Sequence, residues 1–166
     1  MQETNRKSRL WAISLAALMW VSAPASADEV DKIGAVLDRF HTAAAKAKFE
    51  EYFNQFTPDG VFIGTDASER WTVEEFKAYA KPHFDKGRGW TYQSSQRHIN
   101  ISPDASHAWF DERLDNASLG VCRGTGVLRK IGADWKIAQY HLTIPVPNEL
   151  ADEVVKRIRA MPAAKR

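Results

Sequence analysis

The chain has 166 residues, with 23 Lys and Arg against 21 Asp and Glu, one cysteine, and a mean hydropathy of −0.43. This length suits one domain around one core, and the near-balance of charge excludes the basic footprint of a nucleic-acid binder. With Cys122 alone there is no intramolecular disulfide, so the fold must rest on apolar packing.

Residues 1–27 read as an export leader. "MQETNRKSR" is a basic start, "LWAISLAALMWV" an apolar run of twelve, and "SAPASA" a small-x-small cleavage pattern ending at Ala27. The run is short of the roughly 20 residues a spanning helix needs. Cleavage, with a retained anchor as the rival reading, implies a secreted or periplasmic protein with no stable membrane insertion. The leader holds three of the 23 basic and one of the 21 acidic side chains, so twenty of each remain. The pI near 8.7 therefore describes the precursor.

Val30, Ile33, Leu37 and Phe40 fall at three-and-four spacing, which predicts a helix with one buried stripe. Phe49, Phe53 and Phe56 predict a second helix, stopped by "TPDG", and the pair a helical hairpin. "VFIG" is a short strand leading into "GTDASERW", residues 64–71. Thr72 and Glu75 then form a capping box, which starts a helix running through Phe76 and Tyr79 to about Pro82. A helix start favours nearby anions, which by itself accounts for Asp66 and Glu69.

From Trp90 onward "WTYQSSQRHINI", "SHAWFDERLDNA", "GVCRGTGVLRKI" and "DWKIAQYHLTIPV" read as four strands of an antiparallel meander. Asn148 offers an N-cap for a terminal helix carrying Val154, Val155 and Ile158. With no repeat or linker, residues 28–150 form one domain and 151–166 a terminal helix and tail.

Alternation sorts the strand faces. Ala138, Tyr140, Leu142 and Ile144 form the more apolar set of the last strand and are assigned to the concave side, opposite Trp135, Ile137, Gln139 and His141. Trp109, Asp111 and Arg113 share a side opposite Phe110, Glu112 and Leu114, and Val121, Arg123, Thr125 and Val127 share a side. Neither face of these two strands is cleanly apolar, as expected of a sheet wrapped around a partly polar pocket.

In this order, "GTDASERW", "FDKGRGW", "AWFDERLDN", "CRGTGVL", "WKIAQYHL" and "VPNEL" resemble the SnoaL-like group of the nuclear transport factor 2-like superfamily, over roughly Ile33 to Leu150. The resemblance implies an α+β fold: a cone-shaped, curved antiparallel sheet closed by N-terminal helices, often paired into homodimers. The group's usual Gly-Asp break between its first two helices reads Ala47-Lys48 here. The superfamily includes enzymes, binding modules and association domains, so the fold does not decide function.

Asp66, Glu69, Arg70 and Trp71 read either as a cluster at the cone mouth or as a loop pinned by its own hydrogen bonds. Trp109 is assigned to the pocket because it shares a face with Asp111. Arg123, in mid-strand, either pairs with a carboxylate such as Asp111 or awaits an anionic ligand. His83, His98, His107 and His141 stand apart with no metal spacing, so no metal or cofactor is expected. Cys122 reads as a buried thiol.

Three functions follow. The first is binding of a small organic molecule in a pocket lined by Trp109, Asp111, Arg123 and Tyr140, with Asp66, Arg70 and Trp71 at its rim. The second is a cofactor-independent isomerase or dehydratase, in which Asp66 or Asp111 is the base and Tyr140 donates to an oxyanion. The third is a structural dimerisation domain.

Overall fold

The computed structural model describes residues 27–162. All of the proposed leader except Ala27 lies outside them. Its elements are α1 (Ala27–Ala45), α2 (Phe49–Phe53), β1 (Phe56–Ile63), β2 (Arg70–Thr72), α3 (Val73–Phe84), β3 (Gln93–Ile101), β4 (His107–Asn116), β5 (Gly120–Ile131), β6 (Asp134–Thr143), a 3-10 turn (Asn148–Leu150) and α4 (Ala151–Ala160). The six strands form one curved, open sheet in the order β2-β1-β6-β5-β4-β3. The four-strand meander pairs antiparallel throughout, whereas β1 joins β6 in parallel.

Helix α1 lies against β3 and β6, and α3 against β1, so all three N-terminal helices sit on one side. The α1 stripe buries Ile33, Leu37 and Phe40 as its spacing demands, while Val30 is only half-buried. Each such side chain contributes roughly 1.5–3 kcal/mol. The capping box forms: the Glu75 amide donates to Thr72 Oγ1 at 3.3 Å and the Thr72 amide to Glu75 Oε2 at 2.8 Å.

Several boundaries differ from the sequence expectation. Helix α2 is a little over one turn, and Phe56 belongs to β1. "TPDG" does not end an element; it lies inside β1, where a register shift between Phe56 and Val61 accommodates Pro58, which has no N–H to give. At the end of α1, Lys48 donates to the Ala43 carbonyl at 2.8 Å and Ala47 to Ala44 at 3.1 Å. This helix stop puts Ala47 at φ 50°, where glycine is the residue without strain. Asn148 opens the 3-10 turn, and the N-cap of α4 is Leu150 with no side-chain bond.

The face assignment of β6 is half corrected. Pairing with β5 skips from Val127↔Gln139 to Leu128↔Ile137, so Ala138 is a bulge. Tyr140 and Leu142 face inward as expected, but Trp135 and Ile137 are buried as well, because the bulge reverses the parity between the two halves. Ile144 lies beyond the strand and is exposed.

Candidate functional site

The inner face of the sheet carries a charge. On β4 the alternation runs Phe110, Glu112, Leu114, all buried, and the Glu112 carboxylate has no solvent exposure. Four donors saturate it. His41 Nε2 lies 2.7 Å and the Tyr140 hydroxyl 3.1 Å from Oε1; the Ser94 hydroxyl lies 2.5 Å and Arg97 Nε 2.8 Å from Oε2. Arg97 also reaches Asp38 at 2.8 Å and the Gly34 carbonyl at 3.2 Å, which ties the network to α1.

Burial alone would raise the Glu112 carboxyl, but the hydrogen bond and the charge of His41, then the Ser94 bond and the charge of Arg97, outweigh it and hold it at about 2. An ionised carboxylate only accepts, so His41 Nε2 must carry the hydrogen. The other ring nitrogen, Nδ1, has no hydrogen-bond partner among the described residues. For Tyr140, burial and then the Glu112 charge push the hydroxyl well above the usual tyrosine range. Gly124 makes this contact possible, since a Cβ there would collide with the Tyr140 hydroxyl and touch Glu112.

Beside this network is a cavity of about 190 Å³. His41 and Tyr140 form its polar end. Nine of its sixteen lining residues are Phe, Tyr or Trp, and none is Lys or Arg. Several rings lie nearly parallel: Phe62 on Phe76 at 4.0 Å and 17°, Trp71 on Tyr79 at 4.9 Å and 20°, and Phe62 on Tyr140 at 5.8 Å and 8°. They come from β1, β2, α3 and β6, so the wall depends on the parallel β1–β6 pairing that the sequence did not predict.

"GTDASERW" is the hairpin joining β1 to β2, with Ile63 opposite Arg70. Glu69 and Trp71 line the cavity at its mouth. Asp66 accepts from the Ser68 hydroxyl at 2.6 Å and amide at 2.9 Å, and these bonds hold it below the usual carboxylate range. It pins its own turn and is outside the cavity lining, as is the exposed Arg70. Gly64 leaves room for the Glu69 side chain to fold back over it.

The expected placement of three site residues is corrected. Trp109 and Asp111 point outward because their neighbours Phe110 and Glu112 point in, and Arg123 points outward because Cys122 and Gly124 point in. Asp111 pairs with His98 at 3.2 Å, and Arg123 stands opposite Arg113 across the strands. The structure thus brings Tyr140 and Trp71 together and leaves Asp66, Arg70, Trp109, Asp111 and Arg123 outside. His41, Glu112, Arg97 and Ser94, which sequence reasoning missed, form the polar centre. Cys122 is buried, which raises its thiol. No group of His, Cys, Asp and Glu among the described residues could hold a metal ion, and no described helix is long and apolar enough to cross a membrane.

An open curved sheet holding a cavity under three helices defines the nuclear transport factor 2-like class. Within it, the SnoaL-like domain model matches residues 33–147, and the chain belongs to that family. Comparison with curated protein sequences finds no match.

Solved structures share the fold. A domain of unknown function with a cystatin-like fold from Nostoc punctiforme has a TM-score of 0.66 at 13% identity, covering 84% of this chain and 91% of that one. An NTF2-like protein of unknown function from Pseudomonas putida has a TM-score of 0.62 at 14% identity, covering 75% and 92%. A protein provisionally assigned as a scytalone dehydratase from Novosphingobium aromaticivorans has a TM-score of 0.60 at 14% identity, covering 72% and 85%.

Proposed function

We propose that the cavity binds a small, neutral organic molecule of one or two rings. The observation that carries this is the lining: aromatic rings from six elements and one loop around about 190 Å³, with no Lys or Arg in the lining. An apolar cavity of roughly 150 Å³ takes benzene, and each ring pair adds about 0.5–1.5 kcal/mol beyond area burial. A thermal-shift panel of one- and two-ring ketones, four-ring steroids and small carboxylates tests it. The smaller neutral rings are expected to raise the melting temperature, and Trp71→Ala to abolish the rise. No rise with any compound, or a rise unaffected by Trp71→Ala, refutes the reading.

A second reading, cofactor-independent proton transfer, is favoured by the His41–Glu112 pair. A carboxylate behind an imidazole fixes its tautomer, so Nε2 keeps the hydrogen and Nδ1 is left as the proton acceptor of a residue that lines the cavity. In this reading the base is His41 in place of Asp66 or Asp111. Tyr140 stabilises the pair, because its proton is already committed to Glu112. Deuterium exchange at the α-carbon of a bound ketone tests it: His41→Gln should end exchange while binding persists, and exchange that survives the substitution rules His41 out.

Export to the periplasm or medium and assembly into a homodimer complete the proposal. The leader pattern in residues 1–27 supports the first. The exposed apolar side chains of Trp109, Val121 and Ile144 support the second. N-terminal sequencing of the protein from the culture and sedimentation equilibrium decide them.

A further inference from the structure

Tyr52, like Gln55 and Thr57, is buried outside the Glu112 network, and of the three it alone is among the residues lining the cavity. It is fully buried on α2, stacked on Phe40 at 4.6 Å and 21° and set edge-on to Trp90 at 5.8 Å and 81°, and it borders the cavity. Its hydroxyl closes no hydrogen bond among the described residues. Burial drives that hydroxyl far above the ordinary tyrosine range, with Trp90 offsetting part of the effect. An indole N–H only donates. Whatever Trp90 gives to the phenolic oxygen, the phenolic proton therefore has no acceptor among the described residues. Tyr140, the other fully buried tyrosine, donates its proton to Glu112.

A buried donor without an acceptor lowers the stability of the free fold, and phenylalanine would fill the same space without that cost. We infer that Tyr52 is the residue that selects the ligand's functional group, donating its hydroxyl proton to a carbonyl oxygen on a neutral ring compound. The inference rests on the cavity-binding reading above. The acceptor is uncharged because the cavity wall offers Glu69 and no Lys or Arg, with the ionised Glu112 behind His41, so a carboxylate ligand meets negative charge and no counter-ion. Ring ketones are the class that pairs an apolar body with one such oxygen.

The test is calorimetric titration of wild type and Tyr52→Phe with 1-indanone and with indane, its counterpart lacking the oxygen, together with melting of both proteins without ligand. Wild type should bind 1-indanone about three- to tenfold more tightly than indane. Tyr52→Phe should bind the two alike, and its ligand-free melting temperature should be no lower than that of wild type. A ketone preference that survives in Tyr52→Phe overturns the inference, and so does a variant that melts earlier or fails to fold, because the hydroxyl then has a protein partner. If both proteins bind both compounds equally, the cavity reading stands and the role of Tyr52 falls. If wild type binds neither, both fall.

Discussion

His41 Nε2 and Glu112 Oε1 stand 2.7 Å apart although 71 positions separate the residues in the chain. The contact joins α1 to the middle of strand β4. It is buried on both sides, and Tyr140, Arg97 and Ser94 fill the remaining acceptor sites of the same carboxylate. Taking a charge out of water costs several kcal/mol, so the carboxylate is tolerable only with all its donors in place.

Glu112→Gln should therefore be severely destabilising despite its near-identical shape. It leaves the part-buried Arg97 with Asp38 as its sole acidic partner among the described residues and gives His41 and Ser94 a weaker acceptor. A loss of about 3 kcal/mol or more is expected, measured as a shift in urea midpoint at unchanged slope.

The same residue sets an acid limit. Its folded pKa of about 2 lies below the ordinary value of 4.5, so its contribution is complete above pH 4.5 and is lost as pH falls from there towards 2. That contribution is on the order of 3 kcal/mol. Urea unfolding at pH 6, 4 and 3 should show stability falling across this window in wild type, with a smaller fall in Glu112→Gln. Glu29, held at about 2 chiefly by Lys130 and then by Trp135, adds to the fall in both proteins.

Gly124→Ala should disturb the site from the neighbouring strand β5, on the same inner face of the sheet. The added methyl meets the Tyr140 hydroxyl and Glu112 Cγ, so Tyr140 must shift or leave its bond. Overpacking of this kind costs about 1–3 kcal/mol. The melting temperature should drop, and the tyrosine ring resonances of Tyr140 should move.

Ala47→Gly should stabilise the protein. Ala47 is held at φ 50° by the helix-stop bonds of α1, and the left-handed region is open to glycine without the Cβ clash. A gain of about 0.5–1 kcal/mol is expected, the strain relieved being offset in part by the freer unfolded chain. Chemical denaturation measures it.

What was legible follows from regularity. The apolar stripe of α1, the capping box at Thr72 and the meander carry periodic or local signals and stand where the sequence puts them. The alternation of β4 was also readable, with Phe110, Glu112 and Leu114 on one face. The inward face was chosen wrongly because a charge in the core is costly, although the apolar neighbours on either side of Glu112 marked it. The rest depends on irregularities that alternation cannot foresee. Ser94 and Arg97 are three apart, hence on opposite faces of an ideal strand. The bulge between Ser95 and His98, with Gln96 at φ 49°, turns both towards Glu112. On β6 the bulge at Ala138 reverses the parity between Ile137 and Tyr140.

Occupancy of the cavity is measured most directly by NMR titration with 1-indanone, following side-chain resonances on both faces of the sheet. Saturable shifts at His41, Tyr52 and Trp71 on the inner side, with Trp109 and Arg123 on the outer side unmoved, are the predicted result. Shifts confined to Trp109 and Arg123, or none at His41, Tyr52 and Trp71 at millimolar ligand, would contradict it.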